Sequence, residues 1–182
     1  MRDGFHQEGN RENGMSLVEV LITTAVIGIL LAVSFLAYRP RGQELALQRS
    51  VFRVASEIEK AREMAMSAQQ HSSGDVPAGG YGVYFDTASP SNYILFADID
   101  ASKNRKTDGS EDVETISLEK GLTISALSPS GPVNITFVPP SPNVYLQRGA
   151  VVGEVDIAIS IEGDPSKSKV VSVNKAGLIS NQ

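Results

Sequence analysis

The segment from Leu17 to Ala37 constrains this chain most, because it is almost wholly apolar over 21 residues. As a helix it would be about 30 Å long, which matches the hydrocarbon thickness of a bilayer. A cleaved secretory signal is a poorer interpretation, since its apolar region is typically ~7–15 residues and ends in small residues. This run is longer and ends in Tyr38-Arg39-Pro40. The sequence therefore predicts one membrane-spanning helix near the N-terminus.

An acid lies near the start of this apolar run. Glu19 is its only charged residue, and a carboxylate at the middle of a membrane helix costs on the order of 2.5–3.5 kcal/mol, less near the interface. A cut between Gly14 and Met15 would give Met15 a free α-amine four residues before Glu19, a spacing that brings two groups together on a helix face. An acid in the first turn also suits the helix dipole. We therefore hypothesise that Glu19 gains a cationic partner after cleavage, either its own amine or that of a neighbouring chain.

The residues around this junction resemble a known pattern. Gly14, then Met15-Ser16-Leu17-Val18-Glu19, then an apolar helix is similar to the class III signal of type IV prepilins and pseudopilins. The resemblance implies cleavage after Gly14 by a prepilin peptidase, N-methylation of Met15, and pairing of Glu19 with the amine of an adjacent subunit during filament assembly. It also implies a single-pass protein of the bacterial inner (cytoplasmic) membrane with an exported C-terminal domain.

Two features depart from the family pattern. Phenylalanine is more common where this chain has Met15, and the leader usually carries a net positive charge. Here residues 1–14 contain two arginines against three acids, and Arg39 and Arg41 lie beyond the apolar run. Because these basic residues do not indicate an orientation by themselves, the orientation in the membrane rests on the resemblance.

A second helical part is predicted after the membrane segment. Pro40 and Gly42 should interrupt the helix, since proline lacks a backbone donor and glycine is flexible. From about residue 43 to 70, apolar residues then recur at alternating spacings of four and three, as on one face of a helix. The members of this narrow apolar seam are Leu47, Val51, Val54, Ile58, Ala61, Ala65 and Ala68. Because the later members are alanines, we expect a sheet to pack closely against the seam.

The pattern changes from helical to alternating near residue 80. Short segments rich in β-branched and aromatic residues follow, separated by Gly, Pro, Ser and Asp clusters, which is typical of strands. They lie at 81–85, 92–97, 113–118, 122–127, 134–138, 144–146, 154–160, 169–173 and 177–180. Since strands do not alternate with helices, the sheet should be mostly antiparallel. Prolines crowd residues 129–142, which we predict to be an exposed loop.

These elements predict an α+β fold. A long N-terminal helix, with a membrane-spanning half and an amphipathic half, would pack on a mostly antiparallel C-terminal β-sheet domain, as in pilins. The predicted division of the chain is a leader peptide at 1–14, a transmembrane and assembly helix at 15–39, an amphipathic helix at 40–70 and a β-rich globular domain at 71–182.

Further motifs resemble minor pseudopilins of the GspH/FimT type. They are the pair Ala61-Arg62, a Gly-x-x-apolar strand at 82–85, an acidic strand-to-turn segment at 96–111, and a V-x-V-x-x-x-G-x-apolar hairpin at 171–179. The resemblance implies a structural minor subunit of a type II secretion pseudopilus or a type IV pilus, at or near its tip. The implied partners are the prepilin peptidase, other pilin or pseudopilin subunits and an inner-membrane assembly platform. The alternatives are a DNA- or ligand-binding minor pilin of the FimT type and another pilin-like subunit.

The composition argues against an enzyme and against nucleic-acid binding. The chain has no cysteine, and its only histidines are His6 and His71, which excludes thiol catalysis and gives poor support to a Ser-His-Asp triad. We therefore predict no catalytic residue and no cofactor. The net charge of −5 provides no broad basic footprint for nucleic acid. Lys167, Lys169 and Lys175 form only a loose basic group near the end of the chain.

The acidic stretch 98–112 raises the question of calcium, because oxygen-bearing residues recur there at every second position, as in calcium loops. These residues are Asp98, Asp100, Ser102 and Asn104. However, Lys103 occupies the sixth position, where such loops have glycine, and Gly109 the twelfth, where they have glutamate. Lys103, Arg105 and Lys106 would also repel a cation. An acidic surface turn is the preferred interpretation, and no metal is predicted.

Overall fold

The computed structural model of the chain describes residues 15–72, 74–105, 109–140, 143–147 and 153–181. It contains one helix, α1 (Leu17–Met66), followed by nine strands within these described ranges. The strands are β1 (Tyr81–Phe85), β2 (Asn92–Ala97), β3 (Asp112–Ser117), β4 (Leu122–Ser128), β5 (Val133–Val138), β6 (Asn143–Gln147), β7 (Glu154–Ile161), β8 (Asp164–Asn174) and β9 (Ile179–Asn181). The chain divides into two compact units, Met1–Pro40 and Arg41–Gln182.

The helix α1 continues through Pro40 and Gly42, so the predicted interruption is wrong. A proline removes one backbone donor, and a glycine in a helix costs about 1 kcal/mol relative to alanine. A proline inside a helix costs about 3 kcal/mol in all, and the helix nevertheless continues with turns on both sides, since propagation is cooperative once a nucleus exists. The apolar half and the amphipathic half are therefore parts of one helix.

The C-terminal end of α1 lies at Met66, about one turn before the predicted end. Ala68 adopts the left-handed conformation, with φ of 50°. The amide of Gln69 donates to the carbonyl of Met64 at 3.1 Å, and the amide of Ala68 donates to that of Ala65 at 3.2 Å. This pair of bonds is the Schellman arrangement that ends many helices. Ala68 is therefore exposed beyond the helix, and its assignment to the apolar seam was wrong.

The other six members of the seam are buried against the sheets. Leu47, Val51, Val54, Ile58, Ala61 and Ala65 belong to one hydrophobic core that also contains the inward side chains of both sheets. Ala61 and Ala65 have exposed fractions of 0% and 1%, so the alanines do allow the close packing that was expected. Three ion pairs flank the seam: Glu44–Lys167, Arg49–Glu119 and Lys60–Glu114.

The strands form two antiparallel sheets, as the sequence predicted. The five-stranded sheet has the order β3-β2-β1-β5-β6, and the four-stranded sheet has the order β4-β7-β8-β9. All nine predicted strand positions are occupied by strands, and β8 is longer than predicted because it begins at Asp164. The α+β fold class is confirmed.

The sequence predicted both a strand at 134–138 and an exposed loop at 129–142; where the two overlap, the strand is confirmed and the loop is wrong. The strand β5 pairs with β1 and β6, so it lies inside the five-stranded sheet. Val133, Ile135 and Phe137 are fully buried. The prolines lie outside β5, on either side of it, where their missing amide donors do not break the ladder.

Gly82 lies in β1 at the centre of the five-stranded sheet, opposite Phe96 of β2 and Thr136 of β5. A Cβ atom there would lie 2.5 Å from the carbonyl oxygen of Ile135 and 2.6 Å from Cζ of Phe96. Phe96 is fully buried, and its ring occupies the space that a side chain at position 82 would fill. The Gly-x-x-apolar motif of the sequence therefore has a packing reason.

The globular unit is expected to fold without the apolar half of α1. The unit Arg41–Gln182 contains every residue of the hydrophobic core, so a fragment beginning at Gln43 should be soluble and should give a circular dichroism spectrum of mixed helix and strand. A purely helical spectrum, or a fragment that aggregates wherever its first residue is placed, would contradict this architecture.

Candidate functional site

The start of α1 holds two of the residues that the sequence singled out. Met15 is 65% exposed and Glu19 lies in the first helical turn, where the helix dipole favours a negative charge. The first helical hydrogen bond here runs from the amide of Val20 to the carbonyl of Ser16 at 3.2 Å. Within the described part of the chain, the Glu19 carboxylate has no hydrogen-bond or ion-pair partner. Gly14 lies outside the described residues.

The helical surface after Glu19 is apolar on all sides. The window Leu17–Ser34 has a mean hydropathy of 2.4, and none of it is buried in the protein. Three polar side chains interrupt it, Thr23, Thr24 and Ser34. The hydroxyls of Thr23 and Thr24 donate to the carbonyl of Val20 at 3.0 and 2.9 Å. Because these hydroxyls bond within the helix, they do not need water. By length and composition, this segment is able to cross a membrane.

A second candidate site lies where the loop between β2 and β3 begins and ends. One carboxylate oxygen from each of Asp98, Asp100 and Glu111 lies within 4.8 Å of the others. Asp98 and Glu111 are fully buried, whereas Asp100 is exposed. Such a set of oxygen ligands is of the kind that hard cations such as Ca²⁺ use.

The backbone of the loop also bonds to these acids. The amide of Ser102 donates to Asp98 Oδ1 and to Asp100 Oδ1, both at 3.0 Å, and the amide of Lys103 donates to Asp98 Oδ2 at 2.5 Å. The amide of Ile99 donates to Glu111 Oε1 at 3.1 Å. Lys103 has φ of 64°, the left-handed conformation that favours glycine. The missing glycine at this position is therefore no obstacle to a tight turn.

The site differs from the sequence-based set in two members. Asp98 and Asp100 do come together, but the third member is Glu111 and not Ser102 or Asn104. Glu111 lies twelve residues after Ile99, whose amide donates a hydrogen bond to its carboxylate. The Ser102 hydroxyl donates to the carbonyl of Asn104 at 3.4 Å, and the Asn104 amide group donates to the carbonyl of Ser102 at 3.1 Å. Most described residues of this stretch lie at the surface, but Asp98 and Glu111, near its two ends, are fully buried.

Two basic residues of the loop, Lys103 and Arg105, contact the outer face of the five-stranded sheet, and Lys106 lies outside the described residues. The ammonium of Lys103 lies 4.1 Å from the ring centroid of Tyr145. The guanidinium of Arg105 makes two bonds to the Asp112 carboxylate, at 2.5 and 2.6 Å, and lies 5.1 Å from the ring centroid of Tyr84. The charges of Lys103 and Arg105 thus interact with aromatic rings and with a carboxylate. These contacts reduce the repulsion that the two residues would exert on a cation.

The pKa of the Asp98 carboxyl is raised from 3.8 to about 6, mainly by burial and also by its hydrogen bond to the Asp100 side chain and the charge of Glu111. The hydrogen bonds from the Lys103 and Ser102 amides oppose this rise. The folded state therefore binds this proton more tightly than the unfolded state does. Below pH ~4 the carboxyl is protonated in both states, and above pH ~6 it is ionised in both. The contribution of Asp98 to stability accordingly falls as the pH rises from about 4 to about 6.

We therefore expect Asp98→Asn to flatten the pH dependence of stability in the fragment beginning at Gln43. Relative to the variant, the original chain should lose on the order of 2–3 kcal/mol of unfolding free energy between pH 4 and pH 6.5, since each pKa unit corresponds to about 1.4 kcal/mol. Urea denaturation at several pH values measures this difference. Parallel stability curves for the two proteins across this range would contradict the assignment.

The C-terminal basic group that the sequence suggested is partly neutralised. Lys167 lies 2.6 Å from Glu44 on α1, and the contact with Glu44 raises the pKa of the Lys167 ammonium. Lys169 lies beside Phe52 and Asn181. The three lysines therefore do not form one free basic patch.

The chain was also compared with known proteins. Residues 9–35 match the family described as the prokaryotic N-terminal methylation motif. No curated protein sequence matches the chain at a significant level. Among solved structures, the chain is similar to the type IV minor pilin FimU of Pseudomonas aeruginosa in two crystal forms. One is 15% identical, with 80% of this chain and 92% of that chain covered and a TM-score of 0.46; the other is 17% identical, with 75% and 92% covered and a TM-score of 0.44.

The methylation motif coincides with the start of the exposed apolar helix, because the matched residues 9–35 include the first turns of α1. Gly14, Met15 and Glu19, which the sequence singled out, all lie inside the matched residues.

Proposed function

We propose that this protein is a structural, non-enzymatic minor pilin or pseudopilin subunit of the GspH/FimT type. A prepilin peptidase cleaves it between Gly14 and Met15 and methylates the new amine of Met15. The mature chain is then held in the bacterial inner membrane by residues 15–39, with the globular part exported, and it enters a type II secretion pseudopilus or a type IV pilus at or near the tip. Other pilin-like subunits and the inner-membrane assembly platform are its partners.

One observation carries this proposal. The matched methylation motif coincides with a helix whose first turn holds Glu19 and whose following surface, to Ser34, is exposed and mostly apolar. A carboxylate in such a place needs a cationic partner to be stable inside a membrane or a dry filament core. The amine that cleavage creates on Met15 supplies a cation of the right charge near the same end of the helix.

This role assigns a separate function to each segment of the chain. Residues 1–14 serve the peptidase and are lost, residues 15–39 anchor and assemble, residues 40–70 join the anchor to the sheets, and residues 71–182 form the exported β-rich part. The buried seam of α1 on the sheets supports the joining role, because it makes the second half of the helix part of the globular core.

Processing is expected to be directly visible by mass. In cells that contain a prepilin peptidase, the membrane form should begin at N-methylated Met15, whereas a Gly14→Val variant should keep the whole leader, because the peptidase requires the glycine before the cut. Intact-mass and peptide mass spectrometry of the purified membrane form measure both. A chain that still begins at Met1 in the presence of the peptidase would refute the proposed processing.

A further inference from the structure

We draw no further inference here: the strongest candidate, the side-chain cluster of Asp98, Asp100 and Glu111 at the start and end of the loop between β2 and β3, belongs to the candidate site already described, and nothing among the described residues beyond the carboxylates themselves points to a ligand for it.

Discussion

Replacement of Glu19 by glutamine is expected to leave the chain fully cleaved and yet to exclude it from the filament. In the proposed processing, the peptidase acts at Gly14 and Met15, so the change four residues further on should not prevent cleavage. After cleavage, the amine of Met15 would enter an apolar core with no carboxylate to pair with. An unpaired buried charge costs on the order of 3–5 kcal/mol, which is enough to lower incorporation by two to three orders of magnitude. Glutamine keeps the size and the hydrogen-bonding capacity of the side chain, so only the charge is tested.

A neighbouring polar residue supplies the control for this experiment. The Thr23 hydroxyl is already bonded to the carbonyl of Val20, so Thr23→Val should be processed and incorporated normally. Crosslinking or co-purification with the major subunit measures incorporation, and N-terminal mass measures cleavage. Normal incorporation of Glu19→Gln would rule out charge pairing as the role of this carboxylate and would leave it as a side chain that merely reaches the membrane interface.

The second large effect is expected at Gly82, where local propensity and packing make opposite predictions. Valine is among the best strand formers and glycine among the poorest, so propensity alone predicts that Gly82→Val stabilises β1. The contacts predict the reverse, because a Cβ atom would lie 2.5 Å from a carbonyl oxygen of the paired strand β5 and 2.6 Å from the Phe96 ring. The ring can turn away, but the backbone oxygen belongs to a central ladder. We expect a loss of about 3 kcal/mol.

Thermal unfolding of the fragment beginning at Gln43 measures this loss, which corresponds to a fall in Tm of roughly 6–12 °C for a chain of this size. Gly153→Val is the matched control, since a Cβ at Gly153 meets nothing within 4 Å and the same glycine-to-valine change there should shift Tm only slightly. An unchanged or higher Tm for Gly82→Val would show that Phe96 and β5 adjust more easily than their packing indicates.

The features that the sequence predicted correctly depend on local repetition. The seam from Leu47 to Ala65 is visible because a helix places every third or fourth residue on one face, and all six of its members are buried. The strands are visible because apolar residues alternate between turn-forming clusters. Neither pattern requires knowledge of which segments meet in space. The sheet order, in which β1 lies between β2 and β5, does require it and was not predicted.

The errors have a common physical origin in reading proline and charge as local signals. Pro40 was taken as a break, but a cooperative helix tolerates the loss of one donor. Residues 129–142 were predicted to be a loop for their prolines, although a strand was also predicted at 134–138, and the prolines lie on either side of that buried strand. In each case the hydrogen bonds of neighbouring segments outweigh the preference of the single residue.

The candidate acid site shows the same limit. Asp98 and Asp100 are close in the sequence and were found there, whereas Glu111 was missed because only the pairing of β2 with β3 brings it back. Lys103 and Arg105 were expected to repel a cation. In the structure Lys103 contacts Tyr145 and Arg105 pairs with Asp112, and these contacts could not be read from the sequence because the partners are not close neighbours in the chain. The signal that could have identified Glu111 was its place two residues before the strand predicted at 113–118.

The buried seam of α1 also determines how the globular unit would bear mechanical load. From Leu47 to Ala65 the seam extends about 27 Å along the helix axis. Tension applied along α1 would load it in shear, so that all of its contacts resist together and do not open one after another as in peeling. The flanking ion pairs Glu44–Lys167, Arg49–Glu119 and Lys60–Glu114 are solvent-exposed, and such pairs contribute about 1 kcal/mol or less. The force that detaches the helix from the sheets should therefore change little with salt concentration.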